Sequence, residues 1–93
     1  MKTGKPVRLS AHAMSRARER GASEDEIIAA ILHGSREPAR QGKWRVKHQL
    51  PYGGRSPFGE MRYNEKTVEV IYADEPGEVV VITVKVFYRG RED

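Results

Sequence analysis

The hydrophobic period of this 93-residue chain changes once, between residues 34 and 43, and this change limits the folds that the chain can adopt. Before it, large apolar residues repeat at helical spacing in one stripe, made of Ile27, Ile28, Ile31 and Leu32. After it, apolar and polar residues alternate, most clearly in the β-branched set Val80, Ile82, Val84 and Val86. The sequence therefore predicts helices followed by strands.

Capping signals set the bounds of two helices. The first is predicted to begin at Ser10, a good N-cap residue, and to end at Gly21, which can take the left-handed conformation that closes a helix. Ser23 and Glu26 form a capping box that starts the second helix, and Gly34 ends it. Residues 1–8 are basic and are expected to form a loose arm or a short edge strand.

Four strands are predicted in the second half, at residues 43–50, 60–64, 67–73 and 79–88. Residues 35–42 are expected to form a polar loop, and residues 64–66 a tight turn. Residues 51–59 contain two prolines and three glycines, so they are expected to be a mobile flap rather than a central strand. The predicted fold class is α+β, with two N-terminal helices packed on one face of a four-stranded antiparallel sheet.

Alternation along the strands divides their residues between two faces. The face toward the helices is predicted to hold Trp44, Val46, Met61, Tyr63, Val68, Val70, Val80, Ile82, Val84 and Val86. The other face is predicted to hold five cations and one carboxylate, with three further residues: Lys43, Arg45, Lys47, Arg62, Lys85, Glu69, Ile71, Thr83 and Phe87. Such a face is suited to a phosphate backbone, with Thr83 beside the five cations, although cations also keep a small sheet soluble.

Composition places the chain among small basic domains. Its length predicts a single domain over residues 1–93, with a core at about residues 7–88. The net charge of +4 favours a polyanionic partner, either RNA or an acidic protein. The chain has no cysteine, and neither a signal peptide nor a membrane-spanning run is recognisable, so a cytoplasmic location with no membrane partner is expected.

His12, Arg16 and Arg20 are spaced four residues apart and would form one row on the first helix. A histidine beside arginines can transfer a proton while a guanidinium stabilises a phosphate anion, so these three residues are the candidate catalytic group. The alternative is that the row bonds the first helix to the sheet. The histidines His12, His33 and His48 share no metal-ligand spacing, and no metal or cofactor is expected.

Two segments, LSAHAMSRARERGASEDEI and VVVITVKVF, resemble the bacterial domain-of-unknown-function family 4258. That family has a His-x-x-x-Arg-x-x-x-Arg-Gly helix, a second capped helix and strands that end in an Ile/Val-Thr-Val segment. The resemblance covers residues 7–88, and it maps onto the family's marked positions His12, Arg16, Arg20, Gly21 and Thr83. The order of elements is also similar to that of small RelE-like and barnase-like ribonuclease toxins, which implies a RelE-like fold.

The residues and the resemblance together lead to one functional hypothesis and two alternatives. The hypothesis is an RNA-binding endoribonuclease of toxin type that acts without metal, because RNA supplies its own 2′-hydroxyl nucleophile. One alternative is a non-enzymatic binding or structural domain with a nucleic-acid or acidic-protein partner. The other is a toxin-like protein that is held by an acidic antitoxin.

Overall fold

The computed structural model of the chain describes residues 4–55 and 62–92, and the side chains of residues 4–51 and 62–90. Two helices and five strands make up this part of the chain. In chain order they are β1 (Val7–Leu9), α1 (Ala11–Arg20), α2 (Glu24–His33), β2 (Ser35–Pro38), β3 (Trp44–Arg55), β4 (Arg62–Asp74) and β5 (Val79–Glu92), with a 3-10 turn at Arg40–Gly42 between β2 and β3.

Both helices begin and end where the capping signals predict. The Ser10 hydroxyl accepts a hydrogen bond from the backbone N–H of Ala13 at 3.1 Å, and Gly21 ends α1 with a φ of 83°. At the start of α2, Ser23 and Glu26 each bond the other's backbone N–H, which completes the capping box. These bonds are local, so the sequence carries the whole signal.

The strands form one five-stranded mixed sheet in the order β1-β5-β4-β3-β2, which corrects the prediction of four antiparallel strands. The α+β class is confirmed. β1 runs parallel to β5, whereas the other neighbours are antiparallel. Part of the predicted loop at residues 35–42 is the edge strand β2, because its four residues pair with residues 44–47 of β3.

The tight turn predicted at residues 64–66 is wrong. Residues 62–74 form the single strand β4, which pairs with β3 on one side and β5 on the other. Lys66 is buried in it, and its ammonium group bonds the Glu26 carboxylate and the carbonyl oxygen of Gly21. These long-range contacts hold the chain extended where its local composition favours a turn.

The core lies between the two helices and one face of the sheet. Its buried members are Ala13, Ala17, Ile27, Ala30, Val46, Val68, Val70, Tyr72, Val79, Val81 and Val84. Trp44 and Val86 are half-buried against it, as predicted for that face. The small alanines of α1 and α2 let both helices approach the sheet closely.

A β-bulge in β5 corrects the predicted core at two positions. Tyr72 pairs with Val81 and Ile71 with Thr83, so Ile82 is an extra residue that faces no partner on β4. The bulge shifts the alternation by one residue, and Val79 and Val81 are buried instead of Val80 and Ile82. Val84 keeps its predicted place in the core because it follows the bulge.

The sequence predicts a mobile flap at residues 51–59, and no membrane-spanning run is expected. β3 continues to Arg55 and pairs there with β4, so the prediction of a flap is wrong for residues 51–55. Residues 56–61, which include the rest of the predicted flap and Met61, lie outside the described residues. In the part of the chain that the structure describes, neither helix is long and apolar enough to cross a membrane.

Candidate nucleic-acid interface

The sheet face opposite the helices carries three cross-strand rows of side chains, which we call the open face. Each row takes one residue from β3, one from β4 and one from β5, as the strand register shows. The rows are Arg45-Ile71-Thr83, Lys47-Glu69-Lys85 and Gln49-Thr67-Phe87. Neighbours in a row lie about 5 Å apart, so the charges of the middle row act on one another directly.

Glu69 is the carboxylate at the centre of the open face. Only 7% of its surface is exposed, and it lies between Lys47 and Lys85 in the middle row. The Lys47 ammonium group is 3.7 Å from its Oε1 atom. This ion pair holds the Lys47 side chain at the surface of the sheet.

Three cations on or beside the open face have no partner in the described part of the chain. Lys85 and the neighbouring Lys43 and Arg89 make no hydrogen bond or ion pair within residues 4–55 and 62–92. Arg45 is paired with Glu37 of β2, at 3.2 Å between Nη1 and Oε1. Three carboxylates, those of Glu37, Glu65 and Glu69, lie on the same side of the sheet as these cations and are outnumbered by them. The surface therefore keeps an excess of positive charge, which is the property that attracts a polyanion.

A depression of about 240 Å³ lies over the first two rows of the open face. Its floor includes Glu69, Ile71 and Thr83, and residues 39–43 form one wall. Gln41 in that wall has a left-handed backbone with a φ of 58°, an uncommon conformation for a residue other than glycine. This conformation turns the chain back over the sheet and brings Arg40, Gln41 and Lys43 to the depression.

His12 lies at the border between α1 and the open face. Its side chain is exposed, and Nε2 is 3.3 Å from the hydroxyl oxygen of Thr83, which lines the depression. The hydroxyl can donate to a neutral imidazole or accept from a protonated one. The contact fixes the ring at the rim of the depression, with its other nitrogen free of any hydrogen bond within the described residues.

The position of His12 follows from the way α1 covers the edge of β5 beyond β1. The backbone N–H of Ser10 donates to the carbonyl of Val81 at 3.0 Å, and its hydroxyl donates to the carbonyl of Ile82 at 3.2 Å. Further along, Arg20 Nη1 donates to the carbonyl of Val84 at 2.7 Å. These bonds tie both ends of α1 to the strand that carries Thr83.

The other two members of the predicted catalytic row do not reach the depression. Arg20 bonds the backbone of β5, and its own carbonyl accepts a hydrogen bond from the Tyr88 hydroxyl at 2.8 Å. Arg16 is paired with Glu19 on the same helix at 2.8 Å. The structure thus separates the exposed histidine from Arg20, which bonds α1 to β5, and from Arg16, which pairs within α1.

Of the predicted RNA-binding residues, Lys43, Arg45, Lys47, Thr83 and Lys85 lie together around the open face. Arg62 does not lie with them, because it begins β4 and is about 30 Å along that strand from Ile71. Arg40 and Gln41 were missed, since a polar loop gives no signal for the direction in which it folds. The remaining histidines pack near each other elsewhere, with the His33 and His48 rings 6.3 Å apart.

The described side chains contain no group of three or more histidine, cysteine, aspartate or glutamate residues arranged to hold a metal ion. A comparison with known proteins found no matching family model, no similar curated protein and no similar solved structure. The assignment of this surface as a candidate site therefore rests on its geometry and charge alone.

Proposed function

We propose that the protein binds RNA on the open face and cleaves it with His12 as the proton-transfer residue, which makes it an endoribonuclease of toxin type with a RelE-like fold. The observation that supports this most is the contact between His12 and Thr83 at the rim of a basic depression. It combines an exposed imidazole with nearby cations that have no partner in the described chain.

The chemistry that these groups can support is transesterification within the RNA strand. His12 takes the proton of a 2′-hydroxyl, the 2′-oxygen forms a bond to the adjacent phosphorus, and the bond from phosphorus to the 5′-oxygen breaks. Water protonates the leaving 5′-oxygen, and the hydroxide that remains takes the proton from His12. The products are a 2′,3′-cyclic phosphate and a 5′-hydroxyl end.

Positive charge on the open face would stabilise the extra negative charge of the phosphorane. Lys85 and Lys43 are the candidates for this role, because both lie at the depression and neither forms an ion pair with a described carboxylate. Glu69 is a positioning residue for Lys47 in this account, since its almost wholly buried carboxylate lies 3.7 Å from that ammonium group.

Incubation of the purified protein with RNA in EDTA tests the proposed activity. We expect cleavage that leaves 2′,3′-cyclic phosphate ends and that stops when the nucleotide before the cut is replaced by its 2′-deoxy form. An intact RNA substrate after incubation would contradict the catalytic part of the proposal. Cleavage of the 2′-deoxy substrate would contradict the mechanism.

A non-enzymatic binding or structural domain is the second candidate, and the contacts of Arg20 favour it. Of the predicted row, Arg20 bonds the backbone of β5 and Arg16 pairs with Glu19 on its own helix, so neither arginine faces the depression. In that case the open face would bind nucleic acid or an acidic protein without reaction.

The family resemblance and an acidic antitoxin-like partner stay predictions. Relief of expression toxicity by a neighbouring gene product would support the antitoxin-like partner.

A further inference from the structure

Phe87 is an aromatic residue that the core does not use. It is 46% exposed and lies on the open face, in the row with Gln49 and Thr67. Only one other large apolar side chain is comparably exposed in the described chain, Met14 on α1 at 44%. An aromatic ring left in water on a strand forgoes the burial that it would gain in the core.

The surroundings of Phe87 are polar, with cations beside it on β5 and the carboxylates Glu65 and Glu69 opposite those cations on β4. Lys85 and Arg89 lie two residues before and after it on β5, and therefore on the same side of the strand. Neither cation has a hydrogen-bond or ion-pair partner among residues 4–55 and 62–92. The strand thus presents a cation, an aromatic ring and a cation in sequence.

We infer that Phe87 is a stacking site for an unpaired nucleobase, so that the RNA bound by this protein is single-stranded. The inference rests on the proposed function. Proteins that bind single strands combine cations along the backbone with aromatic rings on which bases stack. A base-paired strand keeps its bases stacked inside the duplex and cannot offer one to the ring.

The placement of Phe87 relative to His12 agrees with this assignment. Thr83, which contacts His12, precedes Phe87 by four residues on the same face of β5, a distance of about 13 Å. Lys85 lies between them. An RNA strand that runs along β5 would have its phosphates near Lys85 and Arg89 and one base on Phe87. Its reacting phosphodiester linkage would lie near His12.

Fluorescence anisotropy with labelled oligonucleotides of about ten nucleotides tests the inference. The strands carry 2′-O-methyl groups so that binding is measured without cleavage. Four proteins are compared: wild type, Phe87→Leu, Phe87→Tyr and Met14→Leu. Leucine keeps the apolar bulk but removes the π face, tyrosine restores the π face, and Met14 is the matched exposed apolar position away from the sheet.

We expect Phe87→Leu to weaken binding to the single strand at least about fivefold, which corresponds to about 1 kcal/mol. Phe87→Tyr and Met14→Leu should bind as wild type does. On an abasic strand of the same length, Phe87→Leu should equal wild type, because no base is left to stack. A duplex should likewise show no difference between the two proteins.

Three results would overturn the inference, and they are distinguishable from one another. If wild type binds the strand and Phe87→Leu binds equally well, the stacking site is wrong while the proposed function stands. If Phe87→Leu loses the same affinity on the abasic strand, the ring acts through packing and not through a base. If wild type binds no strand, the proposed function fails, and self-association lost in Phe87→Leu would then assign the ring to a protein contact.

Discussion

Lys66 in the middle strand forms an ion pair with Glu26 in the first turn of α2, with 2.9 Å between Nζ and Oε1, although only 3% of the lysine is exposed. The same ammonium group also bonds the carbonyl of Gly21, at the end of α1. One side chain thus joins the junction of both helices to the sheet. A buried cation with two acceptors is tolerated because each partner replaces the hydration that the ammonium group loses.

Removal of this ion pair should destabilise the fold strongly. We expect Lys66→Ala to lower the free energy of unfolding by about 2–3 kcal/mol, because it leaves the Glu26 carboxylate and the Gly21 carbonyl without their partner. Urea denaturation followed by circular dichroism measures the change. Arg16→Ala is the control, since it breaks an exposed pair worth less than about 1 kcal/mol. Equal losses in the two variants would contradict this role of Lys66.

The same pair should make stability depend on pH. Burial opposes ionisation of Glu26, but the hydrogen bonds from Ser23 and Lys66 outweigh it and hold the pKa of the carboxyl below its ordinary value of 4.5. A carboxyl with a lowered pKa stabilises the folded state above its unfolded pKa, and the contribution is lost as the pH falls through the folded pKa. The stability difference between wild type and Glu26→Gln should therefore be largest near neutral pH and shrink below about pH 4. A stability difference between the two proteins that grows in acid would contradict this role of the Glu26 carboxylate.

The two residues of the Lys66–Glu26 ion pair show which parts of the fold could be predicted from the sequence. The capping box at Ser23 and Glu26 involves residues three apart, so its signal is local and the prediction of α2 is confirmed. Lys66 lies in a segment whose composition favours a turn, and it is in a strand because it pairs with β3 and β5 and bonds Glu26, forty residues away. Local composition carries no information about such a partner.

The strand β2 and the bulge were missed for the same reason, and for residues 1–8 a short edge strand was only one of two expectations. β1 and β2 have three and four residues, and each is a strand only because a longer neighbour pairs with it. The extra residue at Ile82 cannot be recognised in an unbroken β-branched run. The open face was nevertheless predicted well on β3, where alternation is regular and places Arg45 and Lys47 on one side.

Arg20 is expected to act in stability and not in catalysis. Arg20→Ala removes the bond to the Val84 carbonyl and should lower the free energy of unfolding by about 1–2 kcal/mol. Arg18→Ala, at an exposed position of the same helix, should change it by less than about 0.5 kcal/mol. At a temperature where Arg20→Ala remains folded, its RNA cleavage rate should equal that of wild type. A rate loss in the fully folded variant would return Arg20 to the catalytic group.

Salt dependence should identify the cations that contact RNA phosphates. Each contact with a single strand contributes about −0.7 to the slope of log K against log salt concentration. Lys43→Ala and Lys85→Ala should each reduce the magnitude of the slope by about 0.7, because both cations lie at the depression without a described partner. Arg18→Ala, which removes a charge from α1 outside the open face, should leave the slope unchanged. Identical slopes in wild type and all three variants would show that RNA binds elsewhere on the protein.

The central claim is that His12 transfers a proton during RNA cleavage, and the most direct test compares it with another exposed histidine. His33 is also exposed but lies at the end of α2, near His48 and away from the depression. Under single-turnover conditions in EDTA, His12→Ala should cleave RNA about 10²–10⁴ times more slowly than wild type, while His33→Ala should cleave at the wild-type rate. Equal rates for wild type and a folded His12→Ala protein would contradict the account.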